Sequence, residues 1–210
     1  NEAWPEFDLQ QKGSTLPTTE ALSRIIWKRL GSHLPLIALR LYEQPNLWAD
    51  YLGTSMDAYL TIRTHFAAAH RLARAELSQK ENERIYGKCA RTNGHGHNYL
   101  VDITVCGAID TRTGMVCDLP ALQEIVDEII IEPFDHTFLN KDIPFFENCV
   151  PTAENIALHI RDILSDPIKE LGVTLHKIRL HESPNNAAEV YCQGTESTSK
   201  NNNQMHLLDN

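Results

Sequence analysis

The chain has no apolar run near the roughly 20 residues that a membrane-spanning helix needs, and its N-terminus lacks the charged-then-apolar order of a secretory signal. A basic excess is also missing: 19 Lys and Arg stand against 28 Asp and Glu, a formal charge of −9. That balance argues against non-specific nucleic-acid binding, and any anionic substrate would have to be met by local positive groups. Cysteine is sparse and odd in number, with five residues at 89, 106, 117, 149 and 192 in no framework spacing. Scattered thiols of this kind point to a reducing cytoplasm rather than a disulfide scaffold. What is present is ordinary for a globular protein, with 42% apolar and 22% charged residues in 210. That length supports one substantial core, or one domain and part of another.

The chain repeats itself. Pro17-Thr18-Thr19-Glu20 matches Pro151-Thr152-Ala153-Glu154 at an offset of 134, and Arg40-Leu41-Tyr42-Glu43-Gln44-Pro45-Asn46 matches Arg179-Leu180-His181-Glu182-Ser183-Pro184-Asn185 at an offset of 139. Apolar positions between these anchors correspond as well, Leu22 with Ile156, Ile26 with Ile160 and Leu30 with Leu164. The five-residue difference in offset fits a longer helix-to-strand loop in the later copy. Residues 1–56 are therefore expected to be the back half of a first unit plus a linker, residues 57–193 a complete unit, and residues 194–210 a polar, disordered tail. An opening Asn1 in place of methionine adds the expectation of a fragment of a tandem protein, or a processed product.

Within the complete unit the periodicities are readable. Tyr59 to His70 reads as extended, and Tyr99, Val101, Ile103 and Val105 alternate with polar neighbours as in a half-buried strand. From Asp118, a good N-cap, Leu119, Leu122, Ile125, Val126, Ile129 and Ile130 keep helical spacing until Pro133 is expected to stop them. A second helix is predicted from about Thr152 to Ser165-Asp166-Pro167, and Leu175 to Glu182 alternates as a final strand. The order predicts an α+β fold, an antiparallel sheet with two helices packed on one face.

The chemistry concentrates at a few positions. Residues i and i+2 of a strand share a face, so His95 and His97 can converge on one cation, with Cys89 six residues before His95. His70 closes the preceding extended segment and can supply a third imidazole. Three histidines leave one position of a tetrahedral zinc open, the mark of a catalytic rather than a structural site. Each part taken singly has a plainer reading: a surface His pair, a small buried thiol, a chance Asp135-His136 neighbour pair, a solvated strand-end Glu182.

Together, Phe66-Ala67-Ala68-Ala69-His70-Arg71-Leu72, Tyr86-Gly87-Lys88-Cys89, Asn93-Gly94-His95-Gly96-His97-Asn98-Tyr99, Thr113-Gly114-Met115-Val116, Asp135-His136, Pro151-Thr152-Ala153-Glu154-Asn155 and Glu182 resemble the 6-pyruvoyltetrahydropterin synthase family. They stand in family order across 57–193, whereas residues 1–51 match only the family's later half, including its glutamate at Glu43. The resemblance implies the tunnelling fold, with subunits joining their sheets into barrels as a homo-oligomer, a trimer or hexamer of such units. It implies Zn²⁺ held by His70, His95 and His97, and 7,8-dihydroneopterin triphosphate as the small-molecule substrate, with no nucleic-acid or membrane partner. Catalytic roles fall to Cys89 as base, Asp135 and His136 as relay, and Glu182. Glu182 also anchors the ring, with Thr152 and Glu154 lining its pocket.

Adjacent residues of an extended segment point apart, so Asp135 and His136 need an irregular loop or a subunit boundary to cooperate. Lys88, Arg91 and Arg71 are the basic residues nearest in sequence for the triphosphate. The implied reaction makes 6-pyruvoyltetrahydropterin, a carbon–oxygen lyase step in tetrahydrobiopterin biosynthesis. One alternative is the carbon–carbon lyase branch, 6-carboxytetrahydropterin synthase of the queuosine and deazapurine route. The five residues between Cys89 and His95 resemble the pyruvoyl branch, since the carboxy branch commonly has a shorter interval. A second alternative is a non-catalytic pterin-binding protein of the same fold, motivated by Glu43.

Overall fold

A computed structural model describes residues 4–8, 13–53 and 57–192 of the protein. The linker at 54–56 and the expected tail at 194–210 lie outside the described residues. One antiparallel sheet runs β1 (Leu39–Gln44), β2 (Leu47–Tyr51), β3 (Asp57–His70), β4 (His95–Ala108), β6 (Thr174–Ser183) and β7 (Asn186–Tyr191) in spatial order. The two-residue β5 (Thr137–Phe138) joins beside β3, parallel to it. β3 and β4 are the long central pair, in register from Asp57↔Ala108 to His70↔His95.

Alternation along these two strands makes two unlike faces. Ala58, Leu60, Ile62, Phe66 and Ala68 from β3, with Tyr99, Val101, Ile103 and Val105 from β4, are buried beneath the helices. The opposite face is polar: Arg63 makes a bidentate ion pair with Asp102 at 2.6 and 2.9 Å, and Thr61 bonds Thr104 at 2.9 Å. A sheet patterned this way packs helices on one side only.

The two helices expected of the complete unit cover the apolar face, and among the described residues, 1–56 add a third. α1 (Thr19–Leu30) lies over β1 and β2, with Trp27 set edge-on to Tyr51 at 5.7 Å, while α2 (Gln79–Tyr86) lies in the β3–β4 connection. α3 (Leu119–Val126) and α4 (Ala153–Glu170) complete the helical layer. The extra helix belongs to residues 1–56.

Two helix ends differ from expectation. The segment begun by α3 runs past Ile130 through a π-helical turn at Asp127–Ile131 and stays helical to Phe134, so Pro133 does not stop it. The continuation buries Phe134 against Phe66, with ring centroids 5.4 Å apart. α4 likewise passes through Pro167 to Glu170. An interior proline costs about 3 kcal/mol, but Ile168 beyond it is fully buried, and burying an isoleucine offsets roughly 1.5–3 kcal/mol of that.

α2 and β7 leave no periodic trace in the sequence. α2 has no apolar stripe and is held by local polar bonds, a capping box between Ser78 and Glu81 and the side chain of buried Asn82. β7 is a short edge strand, mostly exposed.

Candidate metal-centred active site

The register that pairs His70 with His95 also sets Ala68 opposite His97, so the three imidazoles share the helix-covered face at one end of the β3–β4 pair. Gly94 makes the close approach possible. Its φ is +65°, and a Cβ there would lie 2.5 Å from the His70 carbonyl oxygen and 2.8 Å from the Phe138 ring. The ligand atoms of His70, His95 and His97 lie within 4.8 Å of one another, with Nε2 of His70 3.1 Å from Nε2 of His95.

Orientation is supplied by the backbone. Nδ1–H of fully buried His70 donates to the Pro151 carbonyl at 2.8 Å, which leaves its Nε2 lone pair aimed at the cluster. The Tyr99 hydroxyl sits 3.2 Å from the same Nδ1. Burial pushes His70 down to about 4, against the pull of the Pro151 carbonyl, and burial lowers His95 as well. Both rings are therefore neutral at physiological pH, the form that binds a metal. Among the described residues, Nδ1 of His95 and Nε2 of His97 are buried without a hydrogen-bond partner. Unpartnered imidazole nitrogens beside an oriented third ring form a donor set that suits a divalent cation.

Glu182 reaches this cluster from β6. Its Oε1 lies 3.5 Å from Nε2 of His70 and 3.9 Å from Nε2 of His97, while Asn186 donates to Oε2 at 2.6 Å. A register shift between His181 and Ser183 in the β6–β7 hairpin falls at Glu182. Cys89 lies in the 3-10 turn Gly87–Ala90, and its carbonyl accepts from the Leu72 N–H at 2.9 Å, tying the turn to the chain just past His70. The Tyr99 phenol is pushed well up, first by burial and then by Glu182 and Cys89.

Asp135 and His136 pair at 2.8 Å, Oδ2 to Nδ1. His136 has a φ of +59°, and this left-handed backbone turns its ring back onto its neighbour. Asp135 also accepts from the Ala67 N–H at 2.7 Å, and that bond, followed by the one to His136, holds its carboxyl below the usual range. The His136 side chain is 82% exposed and borders a shallow cavity that His97, Ala67 and Asn98 also line. Among the described residues no hydrogen bond or ion pair joins it to Cys89.

Thr152 caps α4 by accepting from Asn155 N–H at 3.3 Å, and exposed Glu154 makes no hydrogen bond to the histidines or Glu182 among the described residues. Of the basic residues nearest in sequence, Arg71 lines a cavity of about 760 Å³ together with Arg74 and Lys141, and Lys88 and Arg91 do not. Tyr99, Pro151 and Asn186 complete the site without having been singled out. Tyr99 had a signal, since it continues the i, i+2 face from His95 and His97, whereas a carbonyl contact such as that of Pro151 has none.

Residues 59–193 match the family model for 6-pyruvoyl tetrahydropterin synthase. The chain is 44% identical over 134 residues to the 6-pyruvoyl tetrahydrobiopterin synthase of Pongo abelii, covering 64% of this chain and 91% of that protein. It is 28% identical over 146 residues to the 6-carboxy-5,6,7,8-tetrahydropterin synthase of Rickettsia conorii, covering 62% and 97%. The solved structure of Caenorhabditis elegans 6-pyruvoyl tetrahydropterin synthase superimposes with a TM-score of 0.62 at 34% identity, over 65% of this chain and 96% of that one. With its T-fold sheet and a match over more than half its length, the chain belongs to the 6-pyruvoyl tetrahydropterin synthase family.

Proposed function

We propose that this chain is a zinc-dependent lyase that converts 7,8-dihydroneopterin triphosphate to 6-pyruvoyltetrahydropterin with loss of triphosphate. The observation that carries the reading is the convergence of His70, His95 and His97, with Glu182 Oε1 3.5 Å from His70 Nε2. Neutral imidazoles leave the charge of a bound Zn²⁺ uncancelled, so it would favour oxyanion character on the substrate's side-chain hydroxyls. Glu182 presents two acceptor oxygens to the paired N–H donors of the pterin edge and is steadied by Asn186. Cys89 takes the proton from carbon, a role that requires its thiolate. Asp135 holds Nδ1–H of His136, leaving Nε2 as the proton acceptor. Since no hydrogen bond joins His136 to Cys89 among the described residues, the relay is completed by a neighbouring subunit in this reading. The Arg71, Arg74 and Lys141 cavity supplies cationic groups for the triphosphate.

Three further proposals accompany this reading. The sheet ends in two open edge strands, β1 and β7, a geometry that favours self-assembly, and we assign the protein to a homo-oligomer of T-fold units. No helix among the described residues is long and apolar enough to cross a membrane; the free cysteines support a cytoplasmic setting. Residues 1–56 are assigned as the back half of an earlier unit. Support comes from the shared order of a threonine-capped helix and a bulged hairpin in α1–β1–β2 and α4–β6–β7.

Incubation of zinc-loaded protein with the substrate is expected to release triphosphate and give the pyruvoyl product by mass. Acetaldehyde in the products would move the chain to the carboxy branch. No triphosphate release from folded, metal-loaded protein would end the lyase reading.

A further inference from the structure

The turn that carries Cys89 is held from outside by the residue that follows His70. The β3–β5 ladder pairs Ala69 with Phe138, and where its next rung would fall the side chain of Asn140 takes the place of a strand. Its Oδ1 accepts from the Arg71 N–H at 2.7 Å, and its Nδ2 donates to the Arg71 carbonyl at 3.0 Å. One amide thus satisfies both backbone groups of Arg71 and fixes the root of its side chain. From that root, Nε–H of Arg71 donates to the Ala90 carbonyl at 3.1 Å, and Nη2 donates to Gln79 Oε1 at 2.5 Å. Gln79 in turn donates from Nε2 to the same Ala90 carbonyl at 3.1 Å and to Glu83 Oε1 at 2.7 Å. Ala90 is fully buried and adjoins Cys89, whose own carbonyl takes the Leu72 N–H at 2.9 Å. Two successive carbonyls of the turn are therefore gripped by groups next to the end of β3 and by α2. A 3-10 turn of four residues has little stability of its own, so these outside bonds set where its thiol stands.

We propose that Arg71 is a positioning residue for Cys89, a role that rests on the reading of that thiol as the proton acceptor. The guanidinium suits the task because its planar fork aims two N–H groups at two separate acceptors, the Ala90 carbonyl and the Gln79 amide. Lysine would keep the positive charge beside the adjoining cavity, but an ammonium on a flexible stem is a point charge without that fork. Charge for the triphosphate and placement of the thiol are thus separable properties of one side chain.

The test compares Arg71→Lys and Gln79→Ala with the unaltered chain, all zinc-loaded, on 7,8-dihydroneopterin triphosphate. Arg71→Lys is expected to lower kcat by about 10²-fold, the effect of displacing a reacting group by about 1 Å, with KM and zinc content unchanged. Gln79→Ala, at an exposed position without charge, is expected to lower kcat in the same sense by about 10-fold, the effect of one lost hydrogen bond. In both variants amide exchange at Leu72, the donor to the Cys89 carbonyl, is expected to accelerate, while the melting temperature falls by no more than about 4 °C. A rise in KM at constant kcat in Arg71→Lys, with Gln79→Ala behaving as the unaltered chain, would assign Arg71 to triphosphate binding alone and overturn the proposal. Leu72 exchange at the unaltered rate in both variants would overturn it as well. Should Arg71→Lys impair folding, Gln79→Ala decides by the same two readouts. Failure of the lyase reading would show as no triphosphate release from the unaltered chain, and the Leu72 exchange rates would still decide whether Arg71 fixes the turn.

Discussion

The two ends of the sheet carry the same local device and put it to different use. At one end, α4 with β6–β7 holds Glu182 on a bulge; at the other, α1 with β1–β2 holds Glu43 on a matching one. Their surroundings differ because β3 is long. β6 brings Glu182 to the end of the β3–β4 pair that carries His70, His95 and His97, whereas β2 pairs with Tyr59–Ile62, nearer the other end of β3, where the neighbours are aliphatic. A carboxylate on a bulge is therefore only a handle. The strand ends opposite it decide whether it serves a metal centre or an apolar slot.

The largest way to break this contrast is His97→Ala, which is expected to abolish zinc binding and reduce turnover to background while leaving the Glu43 end folded. Metal content by atomic absorption alongside proteolysis within residues 13–53 reads both ends, and zinc retained at full stoichiometry would contradict the ligand assignment. Cys89→Ala is expected to lower turnover by roughly 10²–10⁴-fold, the usual range for a lost general base. Zinc stoichiometry should be unchanged, because the thiol is outside the imidazole set; a variant with near-normal kcat would remove Cys89 from the mechanism.

Acid should weaken the histidine end selectively. His70 is held near 4 by burial against an ordinary 6.5, so the unfolded chain binds the extra proton first. The stabilising contribution is full above about 6.5 and is lost as pH falls toward about 4, up to about 3 kcal/mol in the metal-free protein. Denaturant melts of chelator-treated protein at pH 7.5 and 5 measure it, with His70→Asn expected to flatten the dependence. A smaller effect sharpens the other end: Gly114 has a φ of +74°, and a Cβ there would lie 2.8 Å from the Leu16 carbonyl. Gly114→Ala is expected to cost about 1–3 kcal/mol, read as a lower melting temperature and faster proteolysis within residues 13–53. Wild-type behaviour would mean that the docking of α1 does not depend on this turn.

Much of this architecture is legible from residue order, and the reasons are local. Alternation along Tyr99–Val105 reports a half-buried strand because side chains on a pleat face opposite ways. Asp118 and Thr152 announce helix starts because each accepts a backbone N–H, from Ala121 and Asn155 respectively. Local signals mislead where distant burial overrides them, as at Pro133 and Pro167, and fall silent where an element has no apolar stripe, as in α2. The grasp of His70 by the Pro151 carbonyl joins residues 81 apart in the chain and has no counterpart in any local pattern.

The sequence by itself determined which groups exist for chemistry, three imidazoles in i, i+2 and cross-strand reach of one another, a nearby thiol, and two glutamates in repeated contexts. Residue identity and strand period suffice for that. Tertiary structure alone decided the company each group keeps. Register across β3–β4 gathers the histidines, the backbone at His136 turns its ring onto Asp135, and the length of β3 separates Glu43 from every imidazole in the cluster. The gathering of the histidines and the Asp135–His136 pairing depend on register and on backbone at segments far apart in the chain, which no local propensity encodes.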